Sequence, residues 1–299
     1  LDIEDEISKY IGDLSNFKSS TSNYQTNISS KKYALEESEL LNKIDNVKTS
    51  IENLELIKVV LSNILIYSFK SLDYKKLVTT LANNYPDCSV FYYKLKNKGI
   101  FLGASPEMIL KRKANRLMID ALAGTVTSGD NQIEFDKNHN FLFKNSKINK
   151  EHDIVIKGIE ESLAKININM NSGKKEVMKL KNLLHLKTSI TAEIENKLNV
   201  MNVLDVLSPT PALSGYPMKK SIKKIDELET FDRGWYSGPV GWINNNFDCE
   251  FYAGLRSAFS HNNKINIYAG AGITIDSDPN EELNEINSKF KSIDEIINE

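Results

Sequence analysis

Several residues in this chain have the types and spacing to do chemistry. Glu282 and Glu285 are three apart and project from one helix face, with Lys289 a further turn along it. The helix opens with Ser277-Asp-Pro-Asn-Glu281, which puts Asp278 at the N-cap, Pro279 at N1 and Glu281 at the capping-box position, so Glu281 is structural. First-turn acids commonly serve the helix dipole. Here, however, the preceding Tyr268-Ala-Gly-Ala-Gly-Ile273 reads as a strand whose glycines let a ligand lie against backbone beside these carboxylates. Glu151 falls between Ile148 and Val155 on the apolar stripe of a long helix. A carboxylate there needs a cation, a proton or an edge position from which it reaches water. With Glu282 and Glu285 it could supply the oxygens that hold Mg²⁺. Lys58 lies in the apolar strand-like run Leu54 to Leu61, on one face with Leu56, Val60 and Ser62. Desolvation there favours a neutral amine, a base or nucleophile; the alternative is an edge lysine reaching water. Arg256 shares a strand face with Glu250, Tyr252 and Gly254, and suits either carboxylate recognition or a structural ion pair. His185 reads as a hydrogen-bonded core histidine.

The elements that must position these groups follow from periodicity. Residues 1 to 50 are polar with a helical pattern at Leu41, Ile44, Val47 and Ile51. Ser71 caps a helix with Leu72, Leu77, Val78 and Leu81 on one face, ended before Pro86. From Cys88 to Ala123 the pattern is β, with turns at Asn97 to Gly99 and at Ala114-Asn115. A long helix is predicted from about Phe141 to Ile166, then a polar connector over Asn167 to Lys175. Antiparallel strands follow at Tyr236 to Ile243, Glu250 to Ser260 and Ile265 to Gly272, before the closing helix from Pro279. Strands at both ends interleave with helices, which predicts one α+β domain over residues 1–299.

Composition narrows the function classes. The chain has 299 residues, 40% hydrophobic and 26% charged, enough to bury a large core. A formal charge of −2 lacks the basic excess that a nucleic-acid partner demands. The longest apolar stretch, Val59 to Phe69, falls short of the ~20 residues of a spanning helix, and the acidic start lacks an apolar leader core, so no membrane association and a cytoplasmic protein are expected. Cys88 and Cys249 have no metal-ligand spacing and read as reduced thiols. Only four residues are arginine (Arg112, Arg116, Arg233, Arg256), so each arginine calls for a reason. By themselves the residues suggest an α+β enzyme acting on a small carboxylate, with Mg²⁺ as a candidate cofactor.

In order, the segments Lys58-Val-Val-Leu-Ser62, Gly103-Ala-Ser-Pro-Glu-Met108, Ala121-Leu-Ala-Gly-Thr125, Glu151-His152, His185-Leu-Lys-Thr188, Pro209-Thr-Pro-Ala-Leu-Ser-Gly-Tyr-Pro217, Phe231 to Trp242, Arg256, and Tyr268 to Glu285 resemble the chorismate-utilising enzymes, and within them the isochorismate synthases. The resemblance implies a large, mostly antiparallel β-sandwich surrounded by helices. It implies Lys58 as the base that activates water for attack at C2 of chorismate and Glu107 as the acid that protonates the departing C4 hydroxyl. Glu151, Glu282 and Glu285 match Mg²⁺ ligands. Arg256, Tyr268, Gly270 and Lys289 match positions that line or bind the substrate carboxylates, while Gly124, His185, Thr188, Ala212 and Leu213 match pocket positions.

Subfamily choice rests on few positions. Anthranilate synthases carry glutamine where Lys58 stands, and aminodeoxychorismate synthases a nucleophilic lysine where Ala123 stands. Salicylate synthases share the lysine but differ around Pro209 to Gly215. The resemblance therefore implies reversible conversion of chorismate to isochorismate by a monomer without a glutaminase subunit, in menaquinone or siderophore biosynthesis. Its alternatives are a salicylate synthase and a catalytically inert chorismate-binding subunit. Asn63, Ser208 and Ala192 stand where the family usually has arginine, histidine and glycine.

Overall fold

The structure, a computed structural model, describes residues 26–53, 56–129, 131–180, 183–195 and 198–299. Thirteen strands form two antiparallel sheets among the described residues. The larger sheet runs β1 (Asn27–Tyr33), β2 (Lys58–Ser71), β13 (Lys264–Ile273), β12 (Ser257–His261), β4 (Gly99–Ser105) and β3 (Ser89–Leu95), with β9 (Gly215–Tyr216) also paired to β2. The smaller runs β10 (Pro239–Ile243), β11 (Cys249–Ala253), β5 (Met108–Lys113), β6 (Arg116–Thr127), β8 (Leu183–Glu193) and β7 (Asn171–Lys179).

Alternation along the neighbouring strands β2 and β13 divides core from site. Val59, Leu61, Leu65 and Tyr67 of β2, with Ile265, Ile267, Ala269, Ala271 and Ile273 of β13, pack in one hydrophobic cluster. That cluster is completed by residues of helices α1 (Glu37–Glu52), α2 (Tyr74–Asn84) and α7 (Pro279–Asn298). Side chains of opposite parity, Lys58 and Val60 on β2 and Tyr268, Gly270 and Gly272 on β13, line a cavity instead. A second cluster joins Leu117, Ile119 and Ala121 of β6 to Val155, Ile159 and Leu163 of α4 (Ser146–Ala164) and to α5 (Val200–Leu207). Helices α3 (Gln132–Lys144) and α6 (Met218–Leu228) complete the set. No helix of the described residues is long and apolar enough to cross a membrane.

The structure corrects several sequence expectations. The helix predicted from Phe141 to Ile166 is two helices, broken at Asn145, whose extended backbone and side chain cap Ile148 N at 3.0 Å. The cap of α2 is Asp73 rather than Ser71. The strand expected from Leu54 begins at Lys58, and residues 54–55 lie outside the described residues. Asn27–Tyr33, inside the stretch read as polar, and Asn171–Lys179, which starts inside the connector expected over Asn167 to Lys175, are sheet-edge strands that pair through backbone and bury little side chain. The predicted strand Glu250 to Ser260 is two strands in different sheets: β11 belongs to the smaller and β12 to the larger. Arg256 lies in the crossing between them with φ 43°, so it does not share a strand face with Glu250 and Tyr252.

Candidate active site

One cavity between the sheets is lined by Lys58, Glu107, Gly124, Glu151, His185, Ala212, Leu213, Arg256, Tyr268, Gly270, Glu285 and Lys289, all of which the sequence singled out. Thr188 is not among its lining residues; its hydroxyl meets His152 Nε2 at 2.8 Å beneath α4. Glu282 lines a neighbouring cavity together with Glu151 and Glu285.

Lys58 opens β2 and is 1% exposed. Its carbonyl accepts from Ser221 Oγ at 2.9 Å, and β9 closes against it at Gly215, where φ is 121° and a Cβ would stand 2.2 Å from that carbonyl. Only glycine fits so tight an approach. The buried Lys58 ammonium is met by Glu151 Oε1 at 2.9 Å. Glu107 sits between β4 and β5, 2% exposed, and Thr210 Oγ1 donates to its Oε1 at 3.0 Å. Burial pushes its carboxyl up to about 7, against the pull of the Thr210 hydrogen bond and the Lys58 charge. A carboxyl poised there is half protonated near neutrality, as a general acid requires.

Cationic groups complete the cavity. Arg256 stacks its guanidinium over Tyr85 at 5.2 Å, and burial lowers its pKa. Its Nη1 is buried with no hydrogen-bond partner among the described residues. An unmet guanidinium N–H in a cavity is carboxylate-binding chemistry. Lys289 Nζ donates to Gly270 O at 2.7 Å and to Glu285 Oε1 at 2.6 Å. Burial pulls this ammonium down, and Glu285 more than offsets it. His185 Nδ1 lies 3.1 Å from Thr125 Oγ1 while its Nε2 is unpartnered among the described residues. Burial, then Arg256 and Lys289, drive its pKa well below the usual imidazole value, so it is neutral.

The three candidate metal ligands are each engaged by a lysine: Glu151 by Lys58, Glu285 by Lys289, and Glu282 by Lys147 at 3.2 Å. Among the described residues no group of three His, Cys, Asp or Glu is arranged around a metal position. The donor set nevertheless fits a hard divalent cation. Burial, and then repulsion from Glu285, push the Glu282 carboxyl up to about 7, with Glu151 adding to the repulsion. A buried carboxyl with those of Glu151 and Glu285 beside the same cavity is the kind of oxygen donor whose charge a divalent ion would stabilise.

Tyr236 and Thr210 are among the lining or supporting residues that escaped the sequence reading. Tyr236 lines the cavity, stacked on Tyr268 with ring centroids 5.2 Å apart, and Thr210 holds Glu107. Both lie inside motif segments, but nothing in their spacing sets them apart from their neighbours.

A family profile for a chorismate binding enzyme matches residues 2–298. The chain is 32% identical over 248 residues to isochorismate synthase MenF of Haemophilus influenzae, covering 82% of this chain and 57% of that one. It is 30% identical over 268 residues to anthranilate synthase component 1 of Saccharolobus solfataricus, covering 87% and 63%. The solved structure of the menaquinone-specific isochorismate synthase MenF of Escherichia coli superposes with a TM-score of 0.87 at 26% identity, covering 98% of this chain and 68% of that one. The chain thus spans about 57% of the length of its Haemophilus relative. With a family profile covering nearly its whole length and an α+β architecture shared with these structures, the chain belongs to the chorismate binding enzymes.

Proposed function

We propose that the chain is an isochorismate synthase that converts chorismate reversibly to isochorismate, with Mg²⁺ as cofactor. The observation that carries this reading is the pair of buried proton-transfer groups, Lys58 and Glu107, on one cavity that also presents Arg256 and Lys289. In the forward direction Lys58, as the neutral amine, takes a proton from water as its oxygen bonds to C2. The ring double bonds shift, and Glu107, as the acid, gives its proton to the C4 hydroxyl, which leaves as water. One water enters and one departs, so the exchange is balanced, and the reverse reaction uses the same groups with roles exchanged. The Glu151 contact must loosen for Lys58 to act as a base, since an amine held as an ammonium cannot accept a proton.

Arg256 and Lys289 orient the substrate carboxylates, and Tyr268 and Gly270 form the wall against which the ring lies. Glu151, Glu282 and Glu285 would hold Mg²⁺, whose charge neutralises the ring carboxylate when bound. Lys58 favours water over ammonia as nucleophile, so the reading requires no glutaminase subunit. We further read the chain as one chorismate-binding domain acting as a cytoplasmic monomer.

Incubation of the purified chain with chorismate and Mg²⁺, followed by chromatography, tests the reading. A mixture of chorismate and isochorismate is expected from either side. Equal amounts of salicylate and pyruvate would reassign it to a salicylate synthase; anthranilate formed from ammonium would overturn the role of Lys58; no turnover would leave a binding subunit.

A further inference from the structure

Strand β2 has β13 beside it from Val59 to Ser68, but among the described residues strands cover its other side only near its ends. There β9 pairs with Lys58 and Val59, and β1 with the stretch from Leu65 to Ser71. Between them the edge from Val60 to Ile64 has no strand neighbour among the described residues, yet its polar backbone groups must be met. Val60 N donates to Ser214 O at 3.0 Å. At the other end Ile64 N donates to Asn63 Oδ1 and Ile64 O accepts from Ala34 N, both at 2.8 Å; between them two side chains serve Val60 O and Ser62 N. Glu229 Oε1 accepts from Ser62 N at 2.7 Å and from Ser62 Oγ at 2.9 Å, and Arg233 Nη2 donates to Val60 O at 2.7 Å. The same guanidinium reaches Leu213 O through Nη1 at 3.0 Å, and Glu229 through Nε at 2.7 Å and Nη2 at 2.6 Å.

We propose that Glu229 and Arg233 are a positioning pair for the two proton-transfer groups, fixing the Lys58 strand against the Thr210-to-Ser214 turn that holds Glu107. This rests on the chorismate-hydrating reading above. The turn is itself stiff, because Thr210 O accepts from both Leu213 N and Ser214 N, at 2.8 and 2.9 Å. A guanidinium on Leu213 O therefore fixes Thr210, and Thr210 Oγ1 fixes Glu107. Arg233 also sets the Tyr236 wall, whose backbone N donates to Arg233 O at 3.0 Å and whose ring lies 5.8 Å from the guanidinium.

The choice of residues supports positioning over bulk stability. The Glu229 and Arg233 side chains are 2% and 16% exposed, and a buried ion pair is often no more stabilising than an apolar pair of the same volume. An apolar pair, however, cannot specify two carbonyls and an amide. Nor can lysine, a single point charge without the planar fork. In a chain with four arginines among 38 basic residues, one is spent here.

The test uses the full chain carrying Arg233→Lys or Glu229→Gln. It measures kcat and KM for chorismate with Mg²⁺, circular dichroism, and amide exchange by mass spectrometry over residues 58–64, 209–216 and 264–273. Misplacing reacting groups by about 1 Å can cost on the order of 10²-fold in rate. The expected result is a native spectrum, kcat lowered roughly 10- to 100-fold, and KM changed less than about 3-fold. Exchange should quicken in the first two segments and not in the third. Near wild-type kcat, KM rising in step with the loss, or failure of both variants to fold would overturn the proposal. The last would make the pair a determinant of the fold. If the wild type does not turn over chorismate, the functional reading fails by itself, and the exchange pattern alone judges the clamp.

Discussion

Replacing Thr210 with valine should move the high-pH limb of chorismate turnover upward. Thr210 is 1% exposed and its hydroxyl donates to Glu107 Oε1 at 3.0 Å; valine keeps the volume and removes the donor. A hydrogen bond to a charged group is worth about 1.5–3 kcal/mol and a neutral one about 0.5–1.5, so the hydroxyl favours the carboxylate over the acid by roughly 1–1.5 kcal/mol. At 1.36 kcal/mol per pKa unit this is about one unit. Glu107 titrates at about 7 in the wild type, so the variant's acid should persist to roughly pH 8. As the proton donor, Glu107 must be protonated for chorismate consumption, and kcat falls as pH rises through its pKa. Stability supplies a second arm. A carboxyl raised in the fold above its ordinary 4.5 contributes stability that is full below that value and lost as pH rises through about 7. The variant should therefore lose about 0.5–1.5 kcal/mol at pH 5, where Glu107 is neutral, and roughly 1–1.5 kcal/mol more than that at pH 9, where it is charged. The assays are initial rates of chorismate loss and urea unfolding across that range. A limb that stays put or moves down, or a stability difference independent of pH, would refute the reasoning.

Lys58→Ala should lower kcat by about 10²- to 10⁴-fold with little change in KM, read from steady-state kinetics; near wild-type rate would require another base. Gly272→Ala should keep the native melting profile yet cut activity. Its Cβ would stand 2.5 Å from Lys58 Cε and 2.7 Å from Glu151 Oε1, wedging into that pair; a fully active variant would show that the pair's placement is immaterial. Glu285→Gln and Glu151→Gln should abolish Mg²⁺-dependent turnover without unfolding the chain, and Mn²⁺ should substitute in the wild type. Full turnover of the wild type in excess EDTA would show that no such ion is needed.

Much of the site could be read from the chain because strand alternation and helix spacing are local. Putting Lys58 and Val60 on one face of β2, and Glu285 a turn before Lys289, needs no knowledge of what lies opposite. Arg256 could not be placed that way. Alternation continues smoothly through Glu250 to Ser260, and only the left-handed turn at Arg256 shows that the chain changes sheets there. The break at Asn145 was hidden for a related reason, since helical periodicity resumes on the far side. The edge strands β1 and β7 bury few side chains and so carry no apolar signal. Arg233 is an arginine in want of a reason, and spacing cannot supply it, because its partners Val60 O and Leu213 O lie far away in the chain, on and beside an edge of β2 that has no strand neighbour among the described residues.

The pairing of β2 with β13 has a consequence in time. Ser68 faces Lys264 and Val59 faces Ile273, so the contacts span 196 to 214 residues (264 − 68 and 273 − 59). Four strands of the smaller sheet, β5, β6, β7 and β8, lie within residues 108–193 and pair across far shorter loops. Loop-closure entropy grows only slowly with length, but the search for distant partners slows folding steeply. The smaller sheet should therefore gain exchange protection first in a pulse-labelling experiment, with Lys58 left on a strand edge still awaiting its neighbour. Until β13 docks, the apolar face of β2 stays open to solvent, and that interval is when the chain is most exposed to aggregation.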